Sequence, residues 1–415
     1  MLFVPISTII ALLSLGHLSD AALTPRAPAG QTINLVRSQQ SKSWSKDQWG
    51  SWAQNQKAAL EAKYGSPGSQ VRRRATGTNY YFGSLAIGTP PISYNVILDT
   101  GSADLWVAGQ NCTSCGDVST FDPSSSSSFQ NQSTSFSITY GSGQAAGFLG
   151  QDVVQMAGFQ VQNQVFAICD QVSSGLLSEP VSGLLGLGFQ TIASSKASPF
   201  WETLVSESAW DSPVMAFQLT RYLNESNVQT LEPGGSFSMG FTNSSLYTGD
   251  IDYVDLPVQG SYWILPITNI SVNGESVNAP TGEEAYAAID TGTTLVGGPS
   301  NAIAEIFAQI PDSQPGTGDF RKLLHLSWHG SRADTCLGAF FEITSGGSAP
   351  AWIVGDTFLK NVYSAFRYSP ASVGFAELSS LAISMNGDKD TAVPSATIGS
   401  SPASGVGDEV VFEQE

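Results

Sequence analysis

Histidine is nearly absent from this 415-residue chain, which has three, His17, His325 and His329, and cysteine is limited to Cys112, Cys115, Cys169 and Cys336. Transition-metal centres draw on clusters of these residue types, and a Ser/His/Asp triad needs a histidine that a serine can reach. His17 lies in an N-terminal apolar run and the other two fall in the most irregular part of the chain, so no metal site and no such triad is expected. No glycine-rich phosphate loop leads into a helix, and no cofactor is expected. Beyond the first residues no apolar run is long enough to span a bilayer, and the end of the chain lacks the apolar run of a lipid-anchor signal.

Charged residues make up only 13% of the chain, against 41% hydrophobic, 42 Gly, nine Trp and 21 Phe. That is enough apolar material for more than one core, and the length favours two lobes. Short runs of Val, Ile, Phe, Tyr and Thr between Gly, Pro, Asn and Asp clusters point to an all-β protein. The aromatic content argues against a disordered Gly/Ser-rich chain.

The apolar segment Leu2 to Leu15, followed by Ser19, Ala21 and Ala22, reads as a secretory signal over residues 1–21. Asn-x-Ser/Thr sequons at Asn111, Asn131, Asn224, Asn243 and Asn269 fit export and glycosylation. The expected destination is extracellular, with the vacuole as the lesser alternative. Charge is divided unevenly. Residues 1–76 carry nine Lys or Arg and three acids, leaving eight basic and 32 acidic residues for the remainder. Such asymmetry suits a segment that binds the body by opposite charge. The basic segment ends in Arg72-Arg73-Arg74 and contains a helix over Lys46 to Tyr64 with Trp49, Trp52 and Leu60 on its apolar side. It reads as a removable propeptide over 22–74, a partner of its own chain that acidification would release. Too few of the basic residues cluster for a nucleic-acid surface, and neither nucleic acid nor membrane is expected as a partner. Cys112-Thr113-Ser114-Cys115 could serve redox chemistry, zinc or a disulfide. Export and the lack of a second pair nearby favour the disulfide. Cys169, in the apolar run Val165-Phe166-Ala167-Ile168, reads as a buried thiol.

One four-residue pattern occurs twice, as Asp99-Thr100-Gly101-Ser102 and Asp290-Thr291-Gly292-Thr293. Each copy follows an apolar run, Val96-Ile97-Leu98 and Ala287-Ala288-Ile289, as a buried strand delivering a carboxylate into a tight turn would. Other motifs are spaced around the two copies: Leu105-Trp106-Val107, Ile138-Thr139-Tyr140-Gly141-Ser142-Gly143, Gly183-Leu184-Leu185-Gly186-Leu187-Gly188, Trp352-Ile353-Val354-Gly355-Asp356 and Gly374-Phe375-Ala376. Together they resemble the pepsin-like aspartic proteases over roughly residues 77 to 380.

That resemblance implies an all-β, bilobal, pepsin-like acid protease fold with the active-site cleft between the lobes. The lobes are expected over 75–250 and 251–380, with a disordered Ser/Pro/Gly-rich tail over 381–415. It implies Asp99 and Asp290 as the catalytic pair. Two carboxylates in contact cannot both ionise cheaply and share one proton, an effect for which the aspartic proteases are themselves the standard example. One then takes a proton from water while the other donates to the scissile carbonyl. By the same resemblance Ser102 and Thr293 hydrogen-bond the outer carboxylate oxygens, Thr100 and Thr291 lock the turns across the lobe boundary, and Gly101 and Gly292 allow close approach. Tyr140, Gly141 and Ser142 form the substrate-covering flap, with Tyr140 directed to Trp106. Ile97, Val181 and Leu184 line an apolar subsite, implying cleavage of polypeptide substrates beside large hydrophobic residues at acid pH, by a monomer. Lys63 and Tyr64 match a propeptide pair that blocks the carboxylates.

The second half departs from the pattern. Asp99 to Leu184 spans 85 positions, Asp290 to Ile353 only 63. About 22 residues are missing, including the cysteine with which Cys336 would pair in the family. The stretch Asp319 to Asp334 holds both remaining histidines and three basic residues. This supports the alternative of an impaired relative, or a splice or gene-model variant, that binds peptide without cleaving it.

Overall fold

The structure, a computed structural model, describes residues 30–38, 46–64, 80–140, 143–221, 231–277, 281–311, 313–315, 321–325, 334–343, 350–386, 397–398 and 401–402. The signal segment, the arginine triplet, Gly141, Ser142, Asn224 and His329 lie outside the described residues, as does the side chain of Trp49.

The chain opens with strand β1 (Gln31–Ser38) and helix α1 (Lys46–Tyr64). Ala, Lys, Gln and Glu dominate α1, and Gly65 and Pro67 follow its end, so propensity and stop signals agree. Its buried residues Trp52, Gln56, Leu60 and Tyr64 recur every four positions and, with Ala53, make one packed stripe.

The first lobe follows as β2 (Tyr81–Ile87), β3 (Ile92–Asp99), β4 (Leu105–Ala108), β5 (Gln130–Tyr140), β6 (Gly143–Met156), β7 (Phe159–Val172) and β8 (Val181–Gly186). Helix α2 (Phe200–Ser206), β9 (Val214–Leu219), β10 (Leu231–Met239) and β11 (Tyr247–Asp255) lead toward the second lobe. There β12 (Ile264–Pro266), a hairpin of β13 (Ile270–Val272) and β14 (Glu275–Val277), β15 (Tyr286–Ile289), β16 (Val296–Gly298) and α3 (Ser300–Ala308) are followed by three short strands, β17 (Ser313–Pro315), β18 (Arg321–His325) and β19 (Asp334–Leu337). β20 (Phe340–Glu342), β21 (Trp352–Val354), α4 (Asp356–Leu359), β22 (Val362–Arg367), β23 (Ser372–Leu378) and α5 (Ser380–Ser384) complete the body.

One 13-stranded sheet runs in the order β11-β23-β22-β9-β10-β1-β2-β3-β8-β4-β7-β6-β5. A separate five-stranded sheet, β12-β15-β21-β16-β20, belongs to the second lobe. The two lobes repeat one register. In the first, Ile97 pairs in parallel with Leu184, Leu184 antiparallel with Trp106, and Trp106 in parallel with Ala167. In the second, Ala288 pairs in parallel with Ile353, Ile353 antiparallel with Gly297, and Gly297 in parallel with Phe341. The repeat stops there. Beyond β7 the first lobe continues into β6 and β5, whereas β20 is the last strand of its sheet and β17–β19 form a small sheet of their own.

Two segments carry structure that the sequence reading did not assign. β1, inside the segment read as a propeptide, is a strand between β10 and β2, paired with β10 from Gln31↔Met239 to Ser38↔Leu231. The segment read as a tail from 381 begins as helix α5, N-capped by Ser379 and anchored by the fully buried Ala382. Cys112 and Cys115 form a disulfide, and Cys169 is a buried free thiol whose pKa is raised by burial. Among the described residues no helix is long and apolar enough to cross a membrane.

Candidate active site

β3 ends at Asp99 and β15 ends at Ile289, directly before Asp290, each running parallel to the strand that supports it, β8 and β21. Leu187 N–H donates to the Asp99 carbonyl (2.8 Å) and Asp290 N–H donates to the Val354 carbonyl (3.0 Å), which ties each turn to its supporting segment. Both side chains are buried, with 1% and 0% of their surface exposed.

The turns are cross-linked reciprocally. Thr100 N–H donates to Thr291 Oγ1 (3.1 Å) and Thr291 N–H to Thr100 Oγ1 (3.0 Å). The hydroxyls donate onward, Thr100 to the Ile289 carbonyl (2.7 Å) and Thr291 to the Leu98 carbonyl (2.8 Å). Each of these four donors is satisfied, as a rigid buried polar network requires. Gly101 and Gly292 are where the turns meet. A Cβ on Gly292 would collide with the Asp99 carboxylate, and one on Gly101 with Asp290, Lys63 and Tyr64.

Each carboxylate has two local donors. Gly101 N–H (2.9 Å) and Ser102 Oγ (2.6 Å) serve Asp99 Oδ1 and Oδ2. Gly292 N–H (2.8 Å) and Thr293 Oγ1 (2.5 Å) serve Asp290 Oδ1 and Oδ2. Between them sits the Lys63 ammonium, donating to Asp99 Oδ1 at 2.8 Å and Asp290 Oδ2 at 3.0 Å, while Tyr64 OH donates to Asp290 Oδ2 at 2.9 Å. Asp290 Oδ2 therefore receives three donors, against two on Asp99 Oδ1 and one on Asp99 Oδ2.

That asymmetry separates the two titrations. Burial pushes the Asp99 carboxyl up; Lys63 opposes this, the Asp290 charge adds to it, and the result is about 6. At Asp290 burial acts in the same sense but is outweighed by the Lys63 charge and by hydrogen bonds from Asp99, Thr293 and Lys63, which bring it down to about 2. Between about pH 2 and pH 6 the pair holds one shared proton on the Asp99 side while Lys63 is in place. Burial opposes the charge on Lys63, but the two carboxylates hold its pKa above the ordinary lysine range.

On the first-lobe wall, Trp106 Nε1–H donates to Tyr140 OH at 2.8 Å. Tyr140, at the end of β5, packs in one cluster with Phe82, Trp106, Val181 and Leu184, against which Ile97 is partly buried. On the opposite wall the structure adds a residue the motifs do not contain. The Tyr262 ring lies 5.3 Å from that of Tyr64, and its phenol is pushed up chiefly by burial, with Lys63, Asp290 and Asp99 all close enough to act on it. The internal repeat could have found it. Ile264 stands opposite Ala288 as Phe82 stands opposite Ile97, so Tyr262 occupies the place of Tyr80. A third carboxyl, Asp356 at the start of α4, is held well above the usual range by burial, against the pull of Lys360 and of Arg37 from β1.

A cleft between two β lobes, with one buried aspartate delivered from each on matching turns, is the architecture of a pepsin-like aspartic endopeptidase. The chain belongs to the eukaryotic aspartyl protease family, whose model matches residues 80–320 and 321–378. It is similar to major aspartyl peptidase 1 of Cryptococcus neoformans var. grubii, 39% identical over 394 residues that cover 79% of this chain and 81% of the relative. Pepsin A of Sus scrofa is 34% identical over 323 residues, covering 71% of this chain and 80% of the relative. The two segments of the family match meet within the stretch 319–334 singled out by composition. These relationships favour an enzyme over a silent binding relative.

Proposed function

We propose that this chain is a secreted aspartic endopeptidase made as a zymogen, which hydrolyses peptide bonds beside large hydrophobic residues at acid pH through the Asp99–Asp290 pair. The observation that carries the reading is the Lys63 ammonium bridging both carboxylates from a basic N-terminal segment. A cation placed there blocks the position a nucleophilic water would take. Once Lys63 and Tyr64 have left the carboxylates, water held between them loses a proton to the ionised one and attacks the carbonyl carbon. The protonated partner gives its proton to the carbonyl oxygen, and collapse of the tetrahedral diol with protonation of nitrogen releases the amine. No covalent enzyme intermediate forms.

Residues 22–74 are the propeptide in this reading, and Arg72-Arg73-Arg74 is the scission site. The apolar cluster around Ile97, Val181 and Leu184 supports a preference for large hydrophobic side chains on the first-lobe side. Tyr262, tilted against Tyr64, supports an aromatic-accepting wall on the other. Exposed Asn111, Asn131 and Asn269 are available for glycosylation.

The test is to express the full-length chain, acidify it, and follow cleavage of a denatured protein with and without a statine-type peptide inhibitor. Inhibitor-sensitive cleavage is expected; its absence from a soluble, folded chain would sink the proposal. Tyr140→Phe gives a finer check on the flap. It removes the acceptor of the Trp106 N–H, and a buried unpaired donor costs about 1–3 kcal/mol. If the flap must close with that bond intact, kcat/KM falls about tenfold, measured by initial rates on one peptide substrate.

A further inference from the structure

The two lobes bury corresponding faces under different covers. In the first lobe, Ile97, Leu184, Trp106, Ala167 and Cys169 are roofed by Phe136, Tyr140, Ala145 and Leu149 from the β5–β6 hairpin. By the repeated register, Ala288 stands for Ile97, Ile353 for Leu184 and Phe341 for Ala167, with Ile343 two residues beyond Phe341 as Cys169 is beyond Ala167. Ala288, Ile353, Phe341 and Ile343, with Leu295, form one buried cluster with Trp52, Ala53, Leu60 and Tyr64 of α1, and among the described residues Tyr262 and Ala339 pack against it. The four α1 side chains are 6%, 0%, 4% and 3% exposed. Among the described residues no strand lies beyond β20 in its sheet.

We infer that helix α1 takes on the second lobe the place that the β5–β6 hairpin takes on the first, so that the N-terminal segment is a structural part of that lobe and stays bound as a separate chain after scission. Full burial of a Trp and a Leu removes a large apolar area from water, on a lobe whose own sheet has five short strands. β1 gives a second anchor, because the 13-stranded sheet is continuous from β10 to β2 only through it. The scission itself rests on the zymogen reading; the packing does not. The fitting occupant is therefore this chain's own helix, which buries Trp52, Gln56, Leu60 and Tyr64 at four-residue spacing and ends in Lys63-Tyr64.

The experiment uses the full chain with a site-specific protease recognition sequence placed within residues 65–79, cut at neutral pH. We expect the N-terminal fragment to co-elute with the body on size exclusion. After its removal by mild denaturant and exchange back to buffer, amides of 286–298 and 339–354 should exchange about 100-fold faster, while those of 143–172 keep their protection. Adding a synthetic peptide of residues 46–64 should restore the lost protection. In the uncut chain, Trp52→Ala combined with Leu60→Ala should loosen the same second-lobe amides selectively, which separates the effect from general misfolding. A fragment that leaves unaided on cutting, or a stripped body whose second lobe is as protected as before, would overturn the inference. Neither readout needs catalysis, so a failure here is distinct from a failure to find inhibitor-sensitive cleavage.

Discussion

Asp99→Asn is expected to lower kcat/KM for peptide cleavage by about 10⁴-fold while leaving the melting temperature at neutral pH within about 3 °C of the parent. The loss is large because the two carboxylates act as one unit. With Asn at 99 the pair has no proton to share, so either the water is not deprotonated or the carbonyl oxygen is not protonated. The fold should tolerate the change, since asparagine keeps the shape of the side chain and the Thr100–Thr291 cross-links do not involve it. Sign also favours tolerance. A carboxyl raised to about 6 contributes stability in full below its unfolded value of about 4, and loses it as pH rises through 6. At neutrality an ionised Asp99 is therefore a cost to the folded state that a neutral amide does not carry. Stopped assays against one fluorogenic peptide, paired with thermal melts, decide the matter. A variant that keeps more than about one-hundredth of parental kcat/KM would show that Asp99 is not half of the catalytic pair.

How far the sequence could be read depended on whether the forces at each residue were local. The bounds of α1 agree with the expected Lys46 to Tyr64, because helix propensity and the Gly65–Pro67 stop lie within a few residues of its ends. The two Asp-Thr-Gly turns were equally legible: an apolar run, a carboxylate and a glycine are contiguous, and their duplication carried the two-lobe reading. β1 was not. Its partners are β10, some 200 residues later, and β2, so nothing near Gln31–Ser38 marks it as an interior strand rather than part of a basic arm. Tyr262 escaped for a related reason, since only the pairing of β12 with β15 puts it against the carboxylates. The burial of Asp356 near Arg37 likewise depends on β1 entering the sheet. The shortened second lobe was visible as a deficit in spacing, but what covers the exposed face depends on a helix more than 200 residues upstream.

Lys63→Ala in the full-length chain should open the site by about 100-fold or more, and it should do so without acid. Lys63 is almost fully enclosed, and removing one partner of a buried ion pair costs about 3–5 kcal/mol because it leaves charge uncompensated. Two carboxylates would then face each other with only Tyr64, Thr293, Ser102 and the turn amides as donors, and α1 would lose its strongest hold on the cleft. The parent chain should behave differently on acidification. Asp290 is depressed to about 2, so its contribution is present above the unfolded value near 4 and is lost only as pH falls toward 2. Lys63 is raised, so its contribution is full below its unfolded value and is lost only at strongly alkaline pH. Asp99 takes up its proton between about 6 and 4, which relieves a cost and leaves the Lys63–Asp290 pair intact. Lowering the pH from 7 to 4 therefore costs the contact its Lys63–Asp99 half, since Lys63 favours the ionised Asp99, but keeps the Lys63–Asp290 half that holds the site closed. Binding of a fluorescent statine-type inhibitor to uncut protein, titrated at pH 7, 4 and 2.5, separates the alternatives. Parent chain that binds only near pH 2.5, beside a Lys63→Ala variant that binds at all three, is the expected result. Equal binding by the two at pH 4 would show that the lysine does not hold the site closed.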